Sequence, residues 1–198
     1  MNWIKKKGLL LLLILCVLQL AIPAYMIWEQ HNILTNGTLY KFQTRPIDPY
    51  DPFRGRYVTL RFSANQEAFN VKSKRRLAKD TWVYAILDND AQGYAAIQQV
   101  VVDKPRDGVD FVQVKLAYTW FHKGENNDYH VVLPFDRYYA PESLAPEIEQ
   151  AVWRRNDNSE VEDVYVAVKV LKGKATIEEL FINQLPIREF LQEAQSTE

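Results

Sequence analysis

The chain has 198 residues, 47% hydrophobic and 25% charged, with 24 basic and 25 acidic side chains giving a formal net charge of −1. So mild and interleaved a balance excludes the basic footprint of a nucleic-acid binder. The single cysteine excludes an intramolecular disulfide, so any folded part must be held by its apolar core, for which about 170 residues suffice.

The first 28 residues set the compartment. Lys5, Lys6 and Lys7 precede Gly8 to Trp28, an apolar run interrupted by Gln19 and Pro23. At about 1.5 Å per residue this run spans roughly 31 Å, the thickness of a bilayer's hydrocarbon core. A basic start and an apolar core also fit a cleavable signal peptide. The run is long for one, however, and a cut after Ala24 would put Ile22 at the position that calls for a small residue, so the reading is an uncleaved anchor. Lysines on one side and Glu29 on the other predict a cytoplasmic amino terminus, with residues 29–198 outside. Setting the three lysines aside moves the formal charge from −1 to −4 for that outer part. Cys16 lies within the run after Ile14 and Leu15, without the small residue a lipoprotein signal places before its cysteine, and reads as an apolar side chain.

Residues 29–37 read as a stalk and 38–198 as one domain. Thr38–Phe42 is a first strand, and Arg56–Phe62 a second that alternates polar and apolar residues. Asn65–Arg76 is ambiguous. Leu77–Asp88, containing the aromatic and branched run TWVYAIL, is a strand, and the turn residues 89–93 lead into an extended Tyr94–Val102. After a second turn at 104–108, Phe111–Phe121 alternates, setting Val112, Val114 and Leu116 against Gln113 and Lys115. Tyr129–Leu133 follows a polar turn. Pro141–Arg155 then reads as a helix, because Ile148, Ala151, Val152 and Arg155 recur at helical spacing after Pro146. Val164–Leu171 and Ala175–Ile182 form a hairpin around residues 172–174, and Pro186–Gln195 a short terminal helix. About eight strands and one clear helix predict a mainly β, antiparallel domain, barrel-like or sandwiched, with a helix packed on it.

The segment PIDPYDPFRGRYVTLRF, Pro46 to Phe62, is distinctive. Its three prolines fix φ and hold Asp48 and Asp51, the residues before two of them, out of helical geometry. Gly55 then offers a turn into the strand that begins the GRYVTLRF motif, Gly55 to Phe62. This motif resembles that of the bacterial GDYXXLXY protein family, with Arg56 where the family has Asp and Phe62 where it has the final Tyr. The Tyr-to-Phe change keeps the ring and loses a hydroxyl, which suits a buried position. The later block FDRYYAPESLAPEIE, Phe135 to Glu149, and the hairpin around Gly173 resemble the family too. The resemblance implies a membrane-anchored protein, often encoded beside a multi-spanning membrane protein; with the orientation read from the anchor, the expected location is the inner membrane with the domain on the extracytoplasmic, periplasmic side. The resemblance carries no reaction with it, and the Arg56 charge reversal argues against acid or metal chemistry at that position.

The candidate site gathers Asp48, Asp51, Arg54, Arg56 and Tyr57 from the first block with Arg137, Tyr138, Tyr139 and Glu142 from the second. Arginine forks pair carboxylates bidentately, so these residues can form a clasp between the blocks. The alternatives are a pocket for an anionic group or peptide carboxylate, and a hydrolytic site using the Asp48/Asp51/Arg54 loop with Arg137 and Glu142. The reading assigns no catalytic residue and no cofactor. His31, His122 and His130 are scattered without an HExxH or paired-ligand pattern, so no metal is expected. Aromatics such as Trp82 and Trp120 read as sheet core rather than as a binding surface. The chain therefore reads as an anchored binding or accessory subunit of a membrane complex.

Overall fold

A computed structural model describes residues 2–45, 57–71, 73, 77–106, 108–117, 128–139, 148 and 163–196. The side chains of residues 2–7, 9, 45, 57–59 and 194–196 lie outside that description. The predicted helix at 141–155 falls outside the described residues except for Ile148, which is helical and buried.

Helix α1, Asn2–Asn36, contains a span at Leu10–Asn36 long and apolar enough to cross a membrane; its most apolar window has a mean hydropathy of 2.5 and no buried residue. The helix passes without a break through the expected stalk. Its last turns pack on the β domain: Ile33 is 4% exposed, and Glu29 forms an ion pair with Lys174. Gly37 alone separates the helix from the first strand, and its N–H donates to the Ile33 carbonyl at 2.8 Å.

The strands divide between two principal sheets. The first carries β1 (Thr38–Arg45), β3 (Arg61–Phe62), β11 (Val164–Leu171), β12 (Lys174–Ile182) and β13 (Leu185–Pro186) in the order β13-β12-β11-β1-β3. The second carries β5 (Trp82–Asn89), β6 (Ala95–Val101), β7 (Phe111–Leu116) and β9 (Val131–Val132) in the order β6-β5-β7-β9. Two short ladders complete the described strands, β2 (Tyr57–Thr59) with β10 (Arg137–Tyr139) and β4 (Phe69–Asn70) with β8 (Asp128–Tyr129). All named pairs are antiparallel. The expected mainly β, antiparallel architecture is therefore the observed one. A terminal helix, α2 (Ile187–Ser196), buries Ile187 and Leu191 in the same core.

Period-two alternation makes that core. Val83, Ala85 and Leu87 of β5 and Val112, Val114 and Leu116 of β7 face Phe42 of β1 and Val164, Val166, Val168 and Val170 of β11. Phe42, Phe62 and Phe135 meet edge-on, with centroids 4.9–5.8 Å apart. Phe62 is 2% exposed, as expected of a position that gives up a tyrosine hydroxyl. Each sheet also contains one bulge. Ile86 pairs with Gln99 and Leu87 with Ile97, which leaves Gln98 extra in β6, and the register between Ala167 and Val168 leaves Glu178 extra in β12. In both cases two consecutive polar residues, Gln98-Gln99 and Glu178-Glu179, break the alternation. The bulge absorbs one of them, so that Ile97 and Val100, or Ile177 and Leu180, all face the core.

Several expected strands are shorter than the sequence pattern suggests because the chain changes partner. Arg56–Phe62 divides at Leu60, whose N–H donates to the Asp136 carbonyl at 2.8 Å; β2 on one side joins β10 and β3 on the other joins β1. Tyr129–Leu133 divides at His130 in the same way, with β8 joined to β4 and β9 to β7. Leu77–Asp88 becomes a strand only at Trp82, since Asp80 sits at φ 63° in a turn.

The two sheets meet at the β11–β12 turn. Lys172 and Gly173 both have positive φ, 50° and 89°, the conformation a two-residue hairpin with matched twist requires. The Gly173 carbonyl accepts the Gln113 N–H at 2.8 Å, and Gly173 bridges Val112 of the second sheet.

Candidate functional site

The two sequence blocks expected to meet do so through the backbone. Tyr57, Val58 and Thr59 pair with Tyr139, Tyr138 and Arg137. Of the predicted site residues, Arg137, Tyr138 and Tyr139 are thus on β10, and Tyr57 lies opposite Tyr139. Asp48, Asp51, Arg54, Arg56 and Glu142 lie outside the described residues.

A groove of about 560 Å³ borders β10. It is lined by Ala175–Glu179 of β12, Gln30 of α1, the run Pro134–Tyr139 and Arg188 of α2. Local sequence explains each wall. Phe135 anchors the Pro134–Asp136 turn in the core, which leaves Asp136 and Arg137 outside, about half exposed and 3.7 Å apart. An ion pair so exposed contributes at most about 1 kcal/mol. Tyr139 is 70% exposed. Tyr138 is half-buried, and its hydroxyl donates to Glu179 Oε1 at 2.7 Å. The same carboxylate oxygen accepts the Leu180 N–H at 3.1 Å.

The electrostatics fix the protonation states. Burial first, and then the Glu179 carboxylate, raise the Tyr138 hydroxyl well above the ordinary tyrosine range, so it is a neutral donor throughout physiological pH. Burial likewise pushes Tyr40 up to about 12, helped by the charge of Asp110, whose Oδ2 accepts the Tyr40 hydroxyl at 3.1 Å. Each of these tyrosines, kept protonated against a carboxylate, fastens the two segments that carry the pair. Among the described residues no cluster of three metal-ligating side chains occurs.

The groove brings together a strand segment that is unpaired on one side among the described residues, two arginines, two tyrosines and the carboxylates of Asp136 and Glu178. Sequence reasoning found the β10 wall and missed Gln30, Thr176, Glu178, Glu179 and Arg188. The twin glutamates were the available signal, because a polar pair inside an otherwise alternating strand marks a bulge, and bulges redirect side chains.

Searches among curated proteins and among solved structures return no match to this chain. A family model described as GDYXXLXY protein does match, over residues 19–180, taking in both blocks that pair beside the groove, and the chain belongs to the GDYXXLXY protein family.

Proposed function

We propose that this protein is a single-pass membrane-anchored subunit whose β domain lies on the extracytoplasmic, periplasmic side and binds a membrane partner beside its anchor. The observation that carries this reading is the unbroken passage of α1 from its apolar span into packed contact with the domain. Gln30 lines the groove only two residues beyond Trp28, a rise of about 3 Å, whereas the headgroup layer is about 5–7 Å deep on each side of the hydrocarbon. The groove therefore opens at the membrane surface, within reach of a multi-spanning protein's loops. Tyr25 and Trp28, with ring centroids 6.1 Å apart, suit the interfacial aromatic belt at that level.

Two measurements test the reading. Affinity capture of the intact protein from gently solubilised membranes, against an anchor-deleted control, should yield a reproducible membrane protein only with the intact chain. Finding none would remove the subunit role. For orientation, Gln92→Cys in a Cys16→Ala background should be labelled by a membrane-impermeant maleimide in intact spheroplasts; labelling only after lysis would place the domain in the cytoplasm.

A further inference from the structure

The β12 strand is paired along its length with β11 on one side, but on the other only Phe181 and Ile182 are paired, with Pro186 and Leu185. Among the described residues nothing pairs with Ala175–Ile177 on that side. The β11–β12 hairpin closes on Leu171 and Lys174. Lys174 and Thr176 therefore exchange backbone bonds with β11, and the N–H and C=O groups of Ala175 and Ile177 point away from it. Farther along, the edge is blunted by means that natural sheets use against unwanted pairing: the bulge at Glu178 interrupts it, and Glu179 takes the Leu180 N–H. Among the described residues the short run before the bulge has no strand paired to it on that side, and it lines the groove together with Gln30, Tyr138 and Tyr139. Glu178 and Arg188 are exposed at this groove, and among the described residues neither has an oppositely charged group within 4 Å.

We propose that the Ala175–Ile177 edge docks an extended peptide segment of a membrane partner, added as a further strand, with a basic side chain for Glu178 and an acidic one for Arg188. This rests on the membrane-subunit reading, which brings a partner's juxtamembrane loop to the groove mouth. Strand addition draws affinity from main-chain bonds and specificity from alternate side chains, and the edge and the two unpaired charges supply one of each. A phospholipid headgroup could meet the charges, but it has no row of amides to offer the edge.

The test uses the full-length protein in phosphatidylcholine nanodiscs with a fluorescein-labelled octapeptide of alternating valines carrying one Lys and one Asp. Its control is the same peptide N-methylated at alternate amides. The unmodified peptide should bind at least about tenfold tighter than the methylated one, a difference of about 1.4 kcal/mol, and should slow amide exchange at Ala175 and Ile177 about tenfold. Glu178→Lys should weaken binding, and a peptide with Glu in place of Lys should restore it. Absence of binding, equal binding of the methylated peptide, or unchanged exchange at Ala175 and Ile177 overturns the proposal. Protection of those amides by nanodisc lipid alone would identify a headgroup as the occupant and overturn it too. Because the probe is synthetic, failure here leaves the co-purification test of the subunit role standing.

Discussion

Gly173→Ala tests how the two sheets are joined. At φ 89° an alanine is strained whatever the space around it, and its Cβ would lie 2.6 Å from Phe111 Cε2 and 3.3 Å from Cδ2. Phe111 cannot easily retreat: it is 6% exposed and meets Tyr84 edge-on at 5.5 Å. Positive φ at a residue with a Cβ costs about 1–2 kcal/mol, and overpacking a filled site costs a further ~1–3 kcal/mol. The total of about 2–5 kcal/mol should lower the melting temperature of a domain this size by roughly 4–20 °C. Gly93 provides the control, since its φ is 85° but nothing lies within 4 Å of a Cβ built there; Gly93→Ala should incur the backbone cost alone. Unfolding of the full chain in detergent, followed by tryptophan fluorescence against denaturant, reads both. Equal losses for the two variants, within ~0.5 kcal/mol, would refute the contact with Phe111 as the joint. Phe111→Leu in the Gly173→Ala background should then recover part of the loss, as coupled neighbours do.

Tyr138→Phe removes the donor to Glu179, and since a hydrogen bond to a charged group contributes about 1.5–3 kcal/mol when buried, this half-buried one should cost ~1–2 kcal/mol in the same unfolding assay; no loss would mean that water replaces the hydroxyl freely. For Tyr40 the folded-state value of about 12 lies above the ordinary 10, so the folded protein keeps a proton that the unfolded chain gives up. Its contribution is complete below pH 10 and is lost as pH rises toward 12. The stability difference between wild type and Tyr40→Phe should therefore shrink across that window, and parallel stability curves would contradict the assignment. Deleting Gln98 should leave a folded protein, because the alternation of Ala95, Ile97 and Val100 then continues without a bulge, whereas deleting Gln113 should abolish cooperative unfolding by turning part of the β7 core face outward. Similar unfolding curves for the two deletions would refute the bulge reading.

Much of this fold was legible because burial imposes period two on sequence. The strands at 82–89, 111–116 and 164–171 carry their core residues where alternation puts them. The apolar anchor follows from length and composition alone. What alternation cannot express is a change of partner. His130 and Leu60 sit inside runs that look like single strands, yet each run serves two ladders, because long-range pairing overrides a local pattern that both ladders satisfy equally. The candidate site was half visible for the same reason. Arg137, Tyr138 and Tyr139 stand out as a polar-aromatic cluster, but Gln30, Glu178 and Arg188 come from three other elements and carry no mark of a shared destination.

The family motif gains a physical meaning from the break at Leu60. Its first half, Tyr57–Thr59, pairs with the β10 strand that walls the groove, and its second, Arg61–Phe62, pairs with β1 and sets Phe62 against Phe42 and Phe135. Leu60, 3% exposed, holds the corner by donating to the Asp136 carbonyl just where the Pro134–Asp136 turn leaves the core. A tyrosine-to-phenylalanine change at residue 62 is then a change inside the core cluster, with no hydroxyl required. The groove wall and the aromatic core are thus joined twice, by Leu60 between the two halves of the motif and by Phe135, which lines the groove and packs on Phe42 and Phe62. The motif thereby ties the β10 wall of the groove to the packing of Phe42, Phe62 and Phe135.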